Sequence, residues 1–586
     1  MLRNDGSVMQ FSKGRTPPEN TPRRPALSSG VCAFVGLLSF LQCADGVAEP
    51  SSGLLQQIQG ERAILSVPKA TPQVDLTPVE DKKPEGMTFS VKKFELRGNR
   101  EIGSDELQEL LKPWLNRPIT FNDLEVATNK ISEFYKSHDW LVRTSLPPQD
   151  ITEGTVIIEI NEAVLGGLQI ENQSERVSES RVEQWIYSHL PKQGVLSLAD
   201  LDRAILTLND LPDVAVTSSL KSGDHPGETV LVVTVKDKPW FNGMLGADNY
   251  GYASTGRARG TANINVNGPL GIGDQLNGYG IGTEGTRYGR VNYSLPVGTD
   301  GMTVGVNAGY MPYSVINNNF RSLFATGDSI TAGAEANYPI IRSRPLNLYF
   351  QTNYFYSLFN NTTVAGSTGQ YYTSVGGGTL SGNLFDTFLE GALSSASITV
   401  SGGDVNLDGA PNLASADAIG AHTAGGFMKA RYTLSRQQNL GEDFVAYFAL
   451  AGQVASKNMN SSEQMYMGGP MGVRAYDPGQ GPSSQGNLIN TELRYILPWG
   501  FQSAGFYDFA NVQTWVNNHF RGAPTYNTYS LQGTGLYLSW LGPYGIQARA
   551  TWAHRVGGLP ESVNQSMANN GGNSPNRYWL SLTVPF

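Results

Sequence analysis

Alternation of apolar and polar positions dominates residues 240–586. Leu346, Leu348, Phe350, Tyr354, Tyr356 and Leu358 share one parity, and the chain ends with the same pattern in Tyr578, Leu580, Leu582, Val584 and Phe586. Because successive side chains of a β-strand point to opposite faces, each such segment predicts a strand with one apolar face. A strand of this kind suits the boundary between lipid and a wet lumen. For the last segment taken alone, an edge strand of a soluble sheet is the alternative.

Strands that cross lipid must close on themselves, because every backbone N–H and C=O in the hydrocarbon needs a partner. At roughly 9–11 residues per crossing plus turns and outer loops, residues 240–586 fit about 16 strands. A barrel of that width encloses a water-filled path unless something plugs it. The sequence therefore predicts an all-β transmembrane barrel of about 16 antiparallel strands, with no helix longer than a turn or two.

Helical spacing replaces alternation in the preceding region, where residues 87–164 and 165–239 repeat one plan. Each copy contains, in order, a strand, two helices and two closing strands. In the first copy, strand Phe89–Leu96 precedes helices capped by Ser104 and Thr120, and Trp140–Leu146 and Thr155–Ile160 close the unit. In the second copy, Val214–Leu220 and Thr229–Val235 are the closing strands. An internal repeat of this length predicts two α+β modules of one kind.

The N-terminus has the pattern of an export signal. Arg23 and Arg24 precede the apolar run Ala26–Ala44, and the small residues up to Ala48 suit cleavage, so residues 1–48 are predicted to be a signal peptide. Residues 49–66 predict a short helix with Leu54, Leu55 and Ile58 at helical spacing. The Pro-rich residues 67–86 predict an extended linker. The two cysteines both lie in the signal, so the mature chain offers no disulfide and no thiol chemistry.

Composition narrows the class of protein further. The net charge of −9 does not suggest nucleic acid as a partner, and a mean hydropathy of −0.26 with no long apolar run after the signal excludes a helical membrane protein. The six histidines show no metal-ligand spacing, and no nucleophile elbow or Gly-x-x-x-x-Gly-Lys motif occurs. We therefore expect no metal, no cofactor and no catalytic residue.

Several motifs resemble those of two-partner secretion transporters, the outer-membrane pores of the haemolysin and filamentous-haemagglutinin secretion systems. Phe94–Asn99 looks like the opening strand and turn of their periplasmic POTRA domains, and Asp248–Gly251 resembles their first barrel strand. The strongest match is the run Val473, Arg474, Ala475 and Tyr476, which is similar to the Val-Arg-Gly-Tyr tip of a loop that folds back into the barrel. Phe506–Ala510 resembles the Phe-x-Asp-x-Gly motif, so Phe506 and Asp508 match. Ala475 and Ala510 stand where glycine is usual.

The resemblance implies that Arg474 lies inside the lumen and is anchored by Asp508. An arginine in such a place needs a carboxylate partner. From the residues alone, Arg474 is equally well a surface charge and Asp508 a solvated lumen residue. The resemblance also implies that the helix with Leu54, Leu55 and Ile58 plugs the lumen, whereas a loosely attached tail is the alternative.

The function that the resemblance implies is translocation of one large secreted exoprotein, encoded nearby, by a protein that is not an enzyme. We expect an outer-membrane barrel with its modules in the periplasm, where the partner arrives unfolded and no nucleotide is hydrolysed. The predicted edge strands are expected to bind the partner by β-augmentation through the segments that carry Trp140, Val142, Leu146, Val214, Val216 and Leu220. Tyr578 and Phe586 are expected to form the terminal signal for the barrel-assembly machinery that inserts the chain into the lipid bilayer. The rivals are a barrel-assembly factor, a porin-like channel, a barrel enzyme and an adhesin.

Overall fold

The computed structural model describes residues 88–586, except residues 152, 193, 226–227, 317–324, 364–365 and 570–572, and except the side chains of 363, 366–368 and 566–569. The predicted signal peptide, the predicted plug helix with Leu54, Leu55 and Ile58, and the linker lie outside the described residues. Within the described part of the chain, no helix is both long and apolar enough to span a bilayer.

The first module packs two helices on a small sheet. Its elements are β1 (Thr88–Ser90), β2 (Lys93–Arg97), α1 (Ser104–Leu111), β3 (Pro118–Thr120), α2 (Phe121–Ser137), β4 (Val142–Ser145) and β5 (Thr155–Glu162). The sheet order is β2-β5-β4, with β2 parallel to β5 and β4 antiparallel to it. The apolar faces of the helices and the sheet form one buried core that includes Phe94, Leu107 and Ile131. Burial of this apolar face is what holds the short elements together.

The second module repeats the plan, with a short strand between its helices as in the first module. Its elements are β6 (Val164–Asn172), α3 (Glu179–Tyr187), β7 (Gly194–Val195), α4 (Leu198–Asn209), β8 (Val214–Ser222) and β9 (Glu228–Asp237). The sheet order is β7-β6-β9-β8, so β8 is an edge strand, as β4 is in the first module. Asp139 joins the two modules, because its carboxylate accepts hydrogen bonds from Ser197 Oγ and Ala199 N, both at 2.8 Å. It thereby supports the N-terminus of α4 from the other module.

The rest of the described chain forms a closed antiparallel barrel of 16 strands. The strands are β10 (Phe241–Asp248), β11 (Arg259–Asn267), β12 (Gln275–Gly282), β13 (Arg287–Val297), β14 (Met302–Ser314), β15 (Thr326–Arg342), β16 (Leu346–Thr363), β17 (Gly366–Asp386), β18 (Ala392–Asn406), β19 (Gly425–Gly441), β20 (Phe444–Ala455), β23 (Gln485–Ile496), β24 (Phe501–Gln513), β25 (Thr528–Leu541), β26 (Gln547–Arg555) and β27 (Asn576–Pro585). Two short strands, β21 (Met465–Tyr466) and β22 (Pro482–Ser483), pair within the loop between β20 and β23. This architecture confirms the predicted fold class and strand number.

Barrel closure brings the first strand beside the last. Met244–Asp248 of β10 pair with Ser581–Pro585 of β27, whereas the longest neighbours, β16 and β17, pair from Leu346 to Thr363. The outer part of β27 pairs only with β26, and the side chain of Asn249 bonds its backbone at Tyr578 O and Leu580 N. The apolar parity predicted for β27 is confirmed: Tyr578, Leu580 and Leu582 are exposed outward, whereas Trp579 is 2% exposed and faces the lumen.

Four local predictions are wrong, and each has a physical reason. The strand predicted over Phe89–Leu96 is two strands in two sheets, because the chain turns between them and Lys92 N and Lys93 N bond Gly154 O. Ser104 is the first residue of α1 and not its N-cap. The N-cap is Gly103, and the Ser104 hydroxyl accepts a bond from Asn99 instead. Thr120 does cap α2, through a capping box with Asp123.

The other two errors concern element ends and loops. The predicted strand Trp140–Leu146 is only Val142–Ser145, since Trp140 bridges to Ser197 of the second module and Leu146 follows the strand. Two helices that the alternation did not predict, α5 (Pro411–Ile419) and α6 (Glu561–Asn569), lie in loops of the barrel. The first of them has almost no apolar face, which explains why spacing did not reveal it.

Candidate functional site

The loop between β20 and β23, residues 456–484, folds back into the barrel. Almost all of its residues from Asn458 to Ser484 are buried. Its apolar side chains, Met465, Met467, Val473, Ala475 and Tyr476, pack against lumen-facing residues of the wall, among them Leu488, Phe506, Ala510, Val512 and Leu531. We call residues 456–484 the lumen loop. It packs on the lumen side of β23 to β26 and also reaches β19, where Arg431 Nη2 donates to Gln464 O at 3.1 Å, and the β10–β11 loop, where Arg257 pairs with Asp477.

Arg474 sits at the tip of the lumen loop and meets Asp508 on β24. The guanidinium donates through Nε to Asp508 Oδ2 at 2.9 Å and through Nη2 to Oδ1 at 2.6 Å, and Arg474 N donates to Oδ2 at 3.0 Å. Asp508 is fully buried and Arg474 is 4% exposed. The guanidinium carbon lies 3.5 Å from the centroid of the Phe506 ring. The structure thus brings together Arg474, Asp508 and Phe506, the three residues that the motifs single out.

A second carboxylate, Glu492 on β23, completes this site. Arg474 Nη1 donates to Glu492 Oε1 at 2.6 Å, and Glu492 Oε2 accepts from Arg494 Nε at 2.7 Å and Tyr537 Oη at 3.0 Å. Sequence reasoning missed Glu492, because an acidic residue on a lumen-facing position looks like any solvated one. The only signal in the sequence is that Glu492 lies two residues before Arg494, which puts both side chains on one face of β23. This spacing does not show which residue Glu492 binds.

The other residues of the motif fit tightly. Ala475 is fully buried, and it lies opposite Gly533 of β25, where a Cβ would come 2.7 Å from the Ala475 Cβ. Glycine on the wall therefore makes room for the methyl group that the loop tip carries. Trp579 of β27 donates its indole N–H to Arg474 O at 2.8 Å, and the Arg555 guanidinium lies over the Tyr476 ring. The loop tip is thus held by β23, β24, β25, β26 and β27 together.

The residues expected to bind a partner lie on or beside two edge strands. Val142 is in β4, whereas Trp140 and Leu146 flank it. Val214, Val216 and Leu220 are in β8, where Val214 and Val216 are buried and Leu220 packs on the module core. These side chains face inward, so the part of either edge strand that is open to a partner is its main chain.

The second module is fixed to the turns of the barrel by charged side chains. Arg203 of α4 donates to Asp300 Oδ1 at 2.8 Å and to Pro339 O at 2.9 Å, and His189 Nε2 lies 3.0 Å from the same Oδ1. Arg342 pairs with Asp210 at 2.8 Å. Partial burial acts to raise the pKa of Asp300, but the hydrogen bonds that it accepts from Tyr338 and Arg203 outweigh this and hold the pKa below its ordinary value. The β13–β14 and β15–β16 turns thus hold the module, as does the β11–β12 turn, where Gly273 N donates to Asp213 Oδ2 at 3.1 Å.

The chain end closes the barrel. Phe586 N donates to Gly243 O, and Gly243 N donates to Phe586 O, both at 3.0 Å. Tyr578 and Phe586 both point outward, with Tyr578 66% exposed. The two residues expected to form a terminal signal therefore lie at the two ends of one lipid-facing row.

Comparison with protein-family models identifies this arrangement. The model for the haemolysin secretion/activation protein ShlB/FhaC/HecB matches residues 227–519, and the model for the ShlB-type POTRA domain matches residues 89–163. The chain belongs to the ShlB/FhaC/HecB family. It is accordingly an outer-membrane transporter of the two-partner secretion type, and the first module is a POTRA domain.

Individual relatives agree with this assignment. The heme/hemopexin transporter protein HuxB of Haemophilus influenzae is 28% identical over 591 residues, which cover 96% of this chain and 99% of HuxB. Among solved structures, CdiB from Escherichia coli matches with a TM-score of 0.62 and 19% identity over 87% of this chain and 93% of CdiB. CdiB from Acinetobacter baumannii matches with a TM-score of 0.60 and 16% identity over 91% and 97% of the two chains. The CdiB structures share the fold of this ShlB/FhaC/HecB transporter.

Proposed function

We propose that this transporter binds an unfolded exoprotein partner in the periplasm through its two modules and passes it through the barrel to the cell surface. The observation that carries the proposal is the position of β8. This edge strand begins directly after Asp213, whose carboxylate accepts a hydrogen bond from Gly273 N in a barrel turn at 3.1 Å. A chain paired with β8 is therefore delivered to the rim of the barrel.

Pairing through an edge strand suits a partner that is recognised while unfolded. The N–H and C=O groups of β4 and β8 that point away from their sheets give affinity without demanding a particular sequence. Among the described residues, β4 pairs only with β5 and β8 only with β9. Asp139 fixes the two modules to each other, so both edges keep a constant position relative to the barrel.

Transport in this proposal uses no nucleotide. The sequence contains no phosphate-binding Gly-x-x-x-x-Gly-Lys motif, and folding of the partner outside the cell would give the movement its direction. The helix with Leu54, Leu55 and Ile58 is proposed to block the lumen at rest, and the barrel-assembly machinery is proposed to insert the chain. HuxB matches along almost the whole chain and is named a heme/hemopexin transporter, so a secreted protein with that cargo is the first partner to test.

The test is secretion of the large exoprotein encoded beside this gene, with the intact chain or with a chain that lacks residues 87–239. We expect secretion to require the modules. Equal secretion without them would contradict the recognition step and favour a porin-like channel or an assembly factor.

A sharper form of the test places proline at Thr217 in one variant and at Ser218 in another. Neighbouring amides of a strand point to opposite sides, so one of the two variants removes an outward N–H of β8 and leaves the ladder with β9 intact. The variant in which the barrel and modules remain folded is expected to secrete poorly, and alanine at the same position is the matched control. Normal secretion by that proline variant would exclude pairing at β8.

A further inference from the structure

The lumen-facing side chains of β16 change from half-buried to fully buried along the strand. Asn353 and Phe355 are half-buried. Further along the same face, Ser357, Phe359 and Asn361 are 6%, 1% and 5% exposed. A side chain that borders an open pore is exposed to water, so something covers the later part of this face.

The neighbouring strand β17 shows the same change. Thr379 and Ser381 are half-buried, whereas Tyr371 and Thr373 are 1% and 3% exposed. The second module lies towards the half-buried part, because Arg344 in the β15–β16 turn pairs with α4 at 2.9 Å. We call the end of the barrel away from the module the outer end. The lumen is therefore open in its middle part and filled at the outer end.

Apolar side chains from the wall and from two loops form this filling. Phe359 and Tyr371 stack with their ring centroids 4.7 Å apart. They belong to one buried cluster that also contains Met459 and Tyr466 of the lumen loop and Tyr252 of the β10–β11 loop. The other wall members lie on strands between β12 and β19. We call this set the outer cluster.

The outer cluster crosses the lumen from one wall to the other. The lumen loop packs on β23 to β26, whereas Phe359 and Tyr371 lie across the barrel on β16 and β17. Met459 and Tyr466 therefore join the loop to the wall that faces it. Each of these four side chains is 1% exposed, so no water-filled path runs beside them.

Helix α5 covers the outer cluster from outside. Leu407 and Ala410, just before the helix, are buried in the cluster at 3% and 1% exposed, and Leu413 and Ala414 of the helix pack against it. Ile419 at the end of the helix is 60% exposed. The helix thus has the cluster on one side and solvent on the other.

The covering loops are tied to one another and not to the strand ladder. Asn458 of the lumen loop donates through Nδ2 to Ala421 O at 2.7 Å, just after α5, and to Asn517 O at 2.8 Å in the β24–β25 loop. These segments lie outside the barrel ladder, so they can separate from the wall without breaking it. An apolar constriction of this kind excludes water and ions, and flexible methionine side chains adapt to its shape.

We infer that the outer cluster is a gate that keeps the empty pore closed to ions, and that it does so without the helix predicted over residues 49–66. The gate opens when α5 and the base of the lumen loop move away from β16 and β17. The inference goes beyond the proposed function, because closure at rest does not depend on which partner is transported.

The experiment measures the current through the purified transporter in planar lipid bilayers in potassium chloride. The intact mature chain is compared with a chain that lacks residues 49–66, and Phe359→Ser is placed in both. The matched control is Phe355→Ser, which removes the same ring from the same face of β16, where the lumen is open. The heat-dependent mobility of the barrel on SDS gels reports folding in each case.

We expect the chain that lacks residues 49–66 to conduct within about twofold of the intact chain, because the outer cluster still excludes water. In that shortened chain, Phe359→Ser is expected to raise the mean current by about fivefold or more, and Phe355→Ser by less than about twofold. If Phe359→Ser reduces the amount of folded barrel, Met459→Ser in the lumen loop is measured with the same thresholds.

A large rise in current on removal of residues 49–66 alone would show that the helix closes the pore and the outer cluster does not. An unchanged current in Phe359→Ser, or an equal rise in Phe355→Ser, would also overturn the inference. Each of these results leaves the proposed function standing, because secretion of the partner is measured separately.

Discussion

Removal of the Arg474 side chain tests whether the buried ion pairs hold the lumen loop inside the barrel. Arg474→Ala eliminates the bidentate contact with Asp508, the bond to Glu492 and the packing on Phe506. It also leaves the buried carboxylate of Asp508 without its cation, whereas Glu492 keeps Arg494. Breaking a buried pair in this way typically costs about 3–5 kcal/mol. Because about 1.4 kcal/mol corresponds to a factor of ten, the equilibrium between the seated and the released loop should shift by about a hundred- to a few thousand-fold.

Protease digestion of intact cells measures this shift, since a released loop becomes accessible from outside. We expect cleavage within residues 456–484 in Arg474→Ala and little in the wild type, together with reduced secretion. Arg494→Ala is the matched control. It removes another buried arginine that bonds Glu492, at 2.7 Å, but the side-chain hydrogen bonds of Arg494 go to Glu492 and Gln437 of the wall. Equal protection of the loop in Arg474→Ala and wild type, or equal exposure in Arg494→Ala, would refute the anchoring role.

Further predictions concern the modules and the lipid face. Asp139→Ala should lower protection of α4 against hydrogen exchange about fivefold, since a lost cap costs about 1 kcal/mol, while Asp139→Asn should change it little. Arg203→Ala should make the junction near residue 239 more sensitive to protease, and unchanged sensitivity would show that the other contacts suffice. The pKa of Asp300 is lowered, so its contribution to docking of the second module is complete above the pKa of about 3.9 that it has in the unfolded chain. That contribution is lost as the pH falls through the lower pKa of the folded chain. The junction should therefore stay protected from protease from pH 7 to 5 and become sensitive only below about pH 4. Leu580→Arg on the lipid face should destabilise the barrel in liposomes by about 2–4 kcal/mol in urea titrations, whereas the lumen-facing Thr583→Arg should have a smaller effect.

The barrel was predictable because lipid imposes a simple rule on every strand. Alternation at Leu346–Leu358 or Tyr578–Phe586 reports the lipid face directly, and the need for closed backbone pairing then gives the architecture. The same logic places Arg474 and Asp508 on facing surfaces once the motif is recognised. The contact of Glu492 with Arg474 was not predictable, because it depends on which position of the barrel wall the loop tip reaches.

The register of the barrel strands and the contacts between the modules could not be predicted from the sequence either. The parity of Asn277 or Asn292 shows that each faces the lumen, but only the pairing of the strands shows that they share one row. Trp140 was assigned to the edge strand because its apolar character continues the pattern, whereas it is held by Ser197 of the neighbouring module. Contacts between the modules leave no periodic signal in the sequence.

The seam between β10 and β27 determines how the barrel responds to sideways load. A longer strand ladder resists separation better, and here the backbone pairing runs only from Gly243 to Asn249 against Leu580 to Phe586. On the far side of the barrel, the ladder of β16 and β17 is more than twice as long. When a bulky object in the lumen pushes the wall outward, the strands therefore separate first at the seam beside β27. This strand carries Trp579, whose indole donates a hydrogen bond to Arg474 O at the loop tip. Widening of the barrel and loosening of the loop are thus mechanically one event.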